Sequence, residues 1–337
     1  MNLVSQFDEL AIQYEKTMNN EKKLLSQMLV MDNQTINEED NHLYELRRAG
    51  AWAIREPEEK IALGENTIIA VAFHPERLHI GHMALINELS TFANSRAMYY
   101  IIKTGHTGHN ENEKQVKMFT QIMKMKGIDD HRIHVTYDYE CNEIRRTENT
   151  VNQLLTVNRL VKCMGWDTSR KMADLCAVTR EVASFLAFQN EKDLHAFWMS
   201  DINQLPFERF ALEISNRMKM KMPTICYTRM IPSLKDVRYR MSIKNKEQAL
   251  FLDEDIESVE NKLKHSRTAM VNSQGFDKLQ ECTFVRIANV FLSEKEMHEL
   301  LAECVLLNGS CSSCKRIGTH IITRKMRRIK DDTKDIC

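Results

Sequence analysis

Between residues 66 and 235, short apolar runs rich in β-branched residues alternate with longer segments of helical periodicity. This alternation predicts a Rossmann-like α/β fold, in which a mostly parallel sheet carries helices on both faces. Ligands of such sheets bind outside the carboxyl ends of the strands, so functional side chains are expected there. The predicted strands are 67–73, 98–103, 132–137, 194–200 and 224–228, and the predicted helices lie near 83–95, 111–126, 148–164, 171–188 and 206–220.

The segments on either side of this region have helical patterns. Residues 1–60 contain no glycine before Gly50, and an apolar stripe that includes Met28 and Leu29 has helical spacing, which predicts a helical N-terminal extension. From residue 255 onward the pattern is again helical. The expected division is therefore an extension over 1–60, a catalytic domain over 61–235, and a mobile loop with a helical C-terminal domain over 236–337.

Bulk composition narrows the class of protein. The chain has 337 residues, of which 43% are hydrophobic and 28% charged, with a formal net charge of zero. These values are ordinary for a globular protein, and no apolar run approaches the roughly 18 residues of a membrane span. Residues 1–13 lack the basic start and apolar core of a secretory signal, so no membrane association and a cytoplasmic location are expected.

Two features of the C-terminal region have open alternatives. The basic residues between Lys315 and Lys330 could follow a nucleic-acid backbone or form the solvated face of a helix. Cys311 and Cys314 have zinc-knuckle spacing, but a structural zinc site needs four ligands and a second pair is not visible. A turn followed by a helix start is the favoured interpretation there, and no metal site is predicted.

The first motif with chemical content is His79-Ile80-Gly81-His82, in the loop that leaves the predicted strand 67–73. Residues 83–89 then have helical spacing, which puts both histidines at a helix N-terminus. Free backbone N–H groups and the helix dipole favour bound phosphate at such an end. A second motif, Arg240-Met241-Ser242-Ile243-Lys244, follows about 160 residues later and leads without a gap into Phe251-Leu252-Asp253.

Together these motifs resemble the two ATP signatures of the class I aminoacyl-tRNA synthetases. Asp201-Ile202-Asn203-Gln204 and Ile231-Pro232-Ser233-Leu234 are similar, in the same order, to segments of the tryptophanyl/tyrosyl subclass, and the similarity is greatest to its tryptophanyl members. The resemblance extends from Asn66 to about His265. It implies that ATP, accompanied by Mg²⁺, activates an amino acid as its adenylate and that tRNA accepts it. It also implies a homodimer, formed through the helices near 148–188.

The resemblance assigns roles to individual positions. His79, His82, Arg240 and Lys244 would be catalytic, because the imidazoles can donate hydrogen bonds to phosphate and the cations can stabilise the leaving pyrophosphate. ATP would be bound by Phe73, His74, His79, Gly81, His82, Arg240, Met241 and Ser242. The amino acid would be bound by Asn203, Gln204, Lys103, His106 and Lys235.

Departures from the family pattern concentrate around the amino acid. Asn203 stands where the family has an aspartate, Lys235 where it has a glutamine, and no acid follows the strand 98–103 until Glu111. The pocket that would bind tryptophan is therefore altered, and an anionic substrate beside Lys103, His106 or Lys235 is one expectation. Three functions follow: a tryptophanyl-tRNA synthetase, a paralogue that transfers an activated amino acid to an acceptor other than tRNA, and an inactive relative that binds or regulates.

Overall fold

The computed structural model describes residues 28–30, 51–55, 66–104 apart from 75, 109–164, 166–167, 169–188, 195–201, 204–228, 231–236, 239–268, 282–301 and 311–334. Its centre is a seven-stranded sheet in the order β1-β2-β7-β6-β3-β4-β5. The strands are β1 Met28–Val30, β2 Ala51–Arg55, β3 Thr67–Phe73, β4 Met98–Lys103, β5 Ile133–Tyr137, β6 His195–Asp201 and β7 Thr224–Thr228.

The five strands β7, β6, β3, β4 and β5 pair in parallel, as the sequence predicts. Strand β3 lies in the middle, and all its residues are buried except Ala72, which is half-buried. From β3 the chain moves outward through β4 and β5, and then returns to β6 on the other side. This reversal leaves a crevice at the carboxyl ends of β3 and β6, the place where ligands bind in sheets of this kind.

The prediction of a helical N-terminal extension is wrong for the residues that the structure describes there. Met28 and Leu29 lie in β1, and β1 and β2 extend the sheet by antiparallel pairing, with β2 against β7. The three apolar residues of β1 fit a helical stripe and a short strand equally well. Pairing with β2, which is itself held against β7 about 170 residues further along the chain, makes the strand favourable, and a local pattern does not contain that information.

Ten described helices surround the sheet. They are α1 Ile80–Ser90, α2 His109–Met125, α3 Asn142–Leu154, α4 Val157–Cys163, α5 Met172–Ala187, α6 Leu205–Met218, α7 Ile256–Lys264, α8 Thr283–Phe291, α9 Glu294–Leu301 and α10 Cys311–Asp332. The helix predicted over 148–164 is two helices, because Thr156 caps a new start by accepting a hydrogen bond from the Arg159 N–H. Cys311 is the first residue of α10, in agreement with the favoured interpretation of that segment.

Two apolar clusters flank the sheet. On one face, α1 and α2 pack together with α7, α8 and α10 against β3, β4 and β6. On the other face, α3, α5 and α6 pack against the opposite sides of the same strands. Helices therefore cover both faces, as predicted, and the C-terminal helices share a core with the sheet. The boundary at 235/236 between two domains stays a prediction.

Candidate active site

A cleft of about 270 Å³ lies at the crevice between β3 and β6. The last residues of β3, the start of α1, the end of β6 and the segment 240–243 form its walls. Its lining includes all eight residues predicted to bind ATP, together with Gln204. The sequence motifs, up to 160 residues apart, are thus brought to one place by the reversal in strand order.

Hydrogen bonds from backbone N–H groups hold both histidine rings at the start of α1. The Gly81 N–H donates to His79 Nδ1 at 3.0 Å, and the His79 N–H donates to His82 Nδ1 at 3.1 Å. This is a reciprocal cap of the helix N-terminus, with imidazoles in the place of the more usual hydroxyl and carboxylate. Because each Nδ1 accepts a hydrogen bond, each neutral ring carries its proton on Nε2.

Both imidazoles are held neutral. Burial lowers the pKa of His82 to about 4. Burial also lowers the pKa of His79 well below its usual value, and the neighbouring His82 and the Arg240 guanidinium lower it further. The rings lie with centroids 4.3 Å apart, so two imidazolium ions would repel each other. The cleft therefore presents two neutral Nε2–H donors, suited to phosphate oxygens.

Gly81 makes this arrangement possible. A Cβ at position 81 would lie 2.7 Å from His79 Cε1 and 2.9 Å from His79 Nδ1. Only a glycine lets the His79 ring fold back over the first turn of the helix. The ring of His82 is supported from the other side by Phe73, at a centroid distance of 5.8 Å, and Phe73 stacks on Phe119.

The second motif reaches the cleft through backbone pairing. Arg240 forms an isolated bridge with Pro232, and the Met241 N–H donates to the Ile231 carbonyl at 2.8 Å. The Met241 side chain is buried and accepts the Leu250 N–H on its sulfur. Arg240, Met241 and Ser242 line the cleft, whereas Lys244 is exposed and outside its lining.

The residues predicted to bind the amino acid are placed differently from the expectation. Gln204 lines the cleft, and its Oε1 is buried without a hydrogen bond from the described residues. Lys103 is buried with its ammonium group 3.4 Å from the centre of the Tyr137 ring, and Lys235 donates to the His265 carbonyl at 2.9 Å. The structure brings neither lysine to the cleft, and Asn203 and His106 lie outside the described residues.

Glu181 of α5 and three residues of β6, Trp198, Met199 and Ser200, line the cleft and were not singled out from the sequence. Glu181 is the one acid among the described residues of the lining. An acid within the apolar stretch from Val178 to Ala187 was a usable signal, but that helix was assigned to dimer contacts. Trp198 is almost completely buried and packs its ring against Phe185, at 4.6 Å between centroids.

The structure also bears on metal binding. Within the described part of the chain, histidine, cysteine, aspartate and glutamate side chains do not form a group of three that could hold a metal ion. Cys304, a possible partner of Cys311 and Cys314, lies outside the described residues. In the same part of the chain, no helix is both long and apolar enough to cross a membrane.

Solved structures of known proteins are similar to this structure in fold. The tryptophanyl-tRNA synthetase homologue from Entamoeba histolytica superposes with a TM-score of 0.79 at 13% identity, over 96% of this chain and 93% of that one. The tryptophanyl-tRNA synthetase from Aeropyrum pernix gives a TM-score of 0.74 at 15% identity, over 96% and 94% of the two chains. The chain has the fold of the tryptophanyl-tRNA synthetases.

Other comparisons agree with this fold. The tyrosyl-tRNA synthetase from Aeropyrum pernix gives a lower TM-score of 0.64 at 12% identity, over 80% of this chain and 88% of that one. In sequence, the chain is 24% identical over 119 residues to the cytoplasmic tryptophan–tRNA ligase of Schizosaccharomyces pombe, which is 34% of this chain and 30% of the relative's length. No protein-family model matches the sequence. The resemblance inferred from the motifs is thus confirmed at the level of the fold.

Proposed function

We propose that this protein activates an amino acid with ATP, forming an aminoacyl adenylate and pyrophosphate, and transfers the aminoacyl group to tRNA with release of AMP. The observation that carries the proposal is the pair of neutral Nε2–H donors at the start of α1, which face the same cleft as Arg240 and Gln204. Donors for phosphate and an acceptor for an amine are thereby combined at the carboxyl ends of β3 and β6.

In the proposed reaction, a carboxylate oxygen of the amino acid attacks the α-phosphorus of ATP and the bond to pyrophosphate breaks. Negative charge then develops on phosphoryl oxygens. Hydrogen-bond donors fixed before the reaction stabilise that charge without reorganising. His79 and His82 are fixed by their Nδ1 bonds, and Arg240 supplies a permanent positive charge. Mg²⁺ accompanies ATP and is bound mainly by the phosphates and water.

The amino-acid side supports a substrate with a free amino group. The Gln204 Oε1 needs a hydrogen-bond donor, and the Glu181 carboxylate supplies a negative charge in the same lining. An ammonium group donates to the first and is attracted by the charge of the second. With Lys103 and Lys235 engaged elsewhere, the described lining on this side offers less to an anionic substrate than the sequence indicated. The zwitterionic form of an ordinary amino acid is the better fit.

Transfer to tRNA, rather than to another acceptor, is the finer part of the proposal. The outer face of α10 supports it, since Arg316, Arg327 and Lys330 are exposed there. Exposed arginine and lysine side chains on one helix suit a phosphate backbone. Transfer of the activated amino acid to a smaller amine by a paralogue remains the alternative.

We also propose that two copies pair through the region 148–188. Val157 of α4 is 52% exposed and Met172 of α5 is 68% exposed, and they are two of the four large apolar side chains that are exposed among the described residues. A homodimer would bury both. Light scattering at micromolar protein concentration tests this, and a monomer there would contradict it.

The activity is tested by ATP–pyrophosphate exchange, screened over the twenty amino acids with and without total tRNA. The proposal expects exchange that depends on one amino acid, and charging of tRNA with that amino acid. Exchange without charging would favour the paralogue. Bound ATP without exchange for any amino acid would favour an inactive relative.

A further inference from the structure

The Lys262 side chain of α7 binds the backbone of the segment that follows Arg240. Its ammonium group donates to the carbonyls of Lys246 and Ala249, at 2.7 and 2.9 Å, and lies 2.5 Å from the Glu254 carboxylate. These three acceptors use all three N–H donors of a lysine. The side chains of Lys262 and Glu254 are only 12% and 10% exposed, so this is a buried contact and not a surface ion pair.

The same ammonium group also lies near Phe251, a buried residue of the same segment. It lies 5.6 Å from the centre of the Phe251 ring, while the Arg77 guanidinium lies 4.0 Å from that centre. Arg77 is in turn paired with Asp253, at 2.7 Å. Phe251, which is 1% exposed, therefore lies near two cations, each paired with its own carboxylate.

Phe251 connects this contact to the histidine motif through the backbone. His79 and Phe251 form an antiparallel bridge, the Ile80 N–H donates to the Leu250 carbonyl at 3.1 Å, and the Leu252 N–H donates to the Leu78 carbonyl at 3.0 Å. The position of the helix N-terminus relative to the segment 240–250 is thus set by residues 250–252. Lys262 holds the carbonyl immediately before them.

We propose that Lys262 is a positioning residue of the active site, which keeps the segment with Arg240 in register with His79 and His82. Lys262 is not part of the lining of the cleft, so it acts through the backbone of residues 246–252. The proposal rests on the proposed function for its kinetic consequence but not for its structural one. Misplacing a charged group by about 1 Å costs on the order of a hundredfold in rate, which is enough to make such a contact functionally important.

Lys262→Met tests this, with Lys264→Met on the same helix as the matched control, because the Lys264 side chain is exposed. For Lys262→Met we expect pyrophosphate exchange to slow about tenfold to a hundredfold at saturating substrates, with the KM for the amino acid unchanged. Lys262→Arg keeps the charge and should restore part of the rate. Lys264→Met should behave as the wild type.

A second readout does not depend on activity. Hydrogen exchange of the Met241 and Leu250 amides, which are bonded to the Ile231 carbonyl and the Met241 sulfur, should become about tenfold faster in Lys262→Met than in Lys264→Met. If Lys262→Met does not fold, Lys262→Met combined with Glu254→Gln removes both charges and leaves no unpaired carboxylate. The same acceleration is expected in that double variant.

The two proposals fail in different ways. A wild-type protein without exchange for any amino acid would overturn the proposed function, and the amide exchange would still decide the role of Lys262. A folded Lys262→Met or double variant with wild-type amide exchange at Met241 and Leu250 would overturn the positioning role. The positioning role would also be overturned if the loss of pyrophosphate exchange in Lys262→Met equals the fraction of the protein that is unfolded. Lys262 would then act on global stability alone.

Discussion

The proposed phosphate side and the proposed amino-acid side of the cleft differ in how their polar groups are held. On the phosphate side, the His82 Nδ1 accepts the His79 N–H and the His79 Nδ1 accepts the Gly81 N–H, and the second motif is tied to the first by the pairing of Phe251 with His79. On the amino-acid side, the Gln204 Oε1 has no partner among the described residues. A side whose donors are already oriented before substrate arrives suits a group common to all substrates. An unsatisfied acceptor instead requires its partner from the substrate, which makes this side the one that selects.

The largest effect is expected on the phosphate side. His82→Ala removes one of the two Nε2–H donors and should slow pyrophosphate exchange about a hundredfold, as the loss of one fixed donor to a developing oxyanion does. The loss of its cap to the His79 N–H should cost only about 1 kcal/mol of stability. Exchange rate and Tm are measured together, with the exposed His320→Ala as control. A folded variant with the full exchange rate would remove His82 from the phosphate site.

Glu181→Gln tests the amino-acid side. The KM for the amino acid should rise about tenfold or more, since a charge-assisted hydrogen bond contributes roughly 1.5–3 kcal/mol, whereas the KM for ATP should not change. Glu148→Gln is the control. Glu148 of α3 pairs with Arg180, the residue before Glu181 in α5, and neither of the two lines the cleft. Equal changes in both KM values would mean that the two sides of the cleft are not separate.

Gly81→Ala tests the packing of the His79 ring. The added Cβ would lie 2.7 Å from this ring and should displace it, slowing exchange about tenfold. Gly318→Ala gives an overlap of the same size, 2.7 Å from the Phe284 ring, in the C-terminal helices. It should lower the Tm without changing the exchange rate of the folded protein. If both variants behave alike, the Gly81 effect is one of stability only.

The smallest expected effect is the dependence of stability on pH. The pKa of His82 is about 4 in the folded protein and 6.5 in the unfolded chain, so the unfolded chain binds more protons between these values. The free energy of unfolding should therefore fall as the pH falls from 6.5 to 4, and this contribution is fully present above 6.5. His82→Gln keeps an acceptor for the helix cap but does not titrate. Its Tm should fall by a few degrees less than that of the wild type between pH 7 and pH 5. Identical Tm profiles would show that His82 is not desolvated.

The sequence predicted the sheet better than the site. Strands β3, β4 and β7 lie at their predicted residues, because buried parallel strands are uninterrupted apolar runs. The phosphate side could also be predicted, since its residues are contiguous motifs. On the amino-acid side only Gln204 was predicted, because Glu181 and Trp198 reach the cleft from separate elements, and only the order of the strands brings them together.

A structure with a non-hydrolysable ATP analogue tests most directly whether the phosphate side is a nucleotide site. We expect the triphosphate at the carboxyl ends of β3 and β6, with a phosphate oxygen within about 3 Å of His79 Nε2 or His82 Nε2. The Arg240 guanidinium should lie on the side of the phosphates opposite to the imidazoles. Gln204 should remain accessible to an amino acid. An analogue bound elsewhere, or one whose phosphates contact neither imidazole, would contradict the assignment of this cleft to ATP.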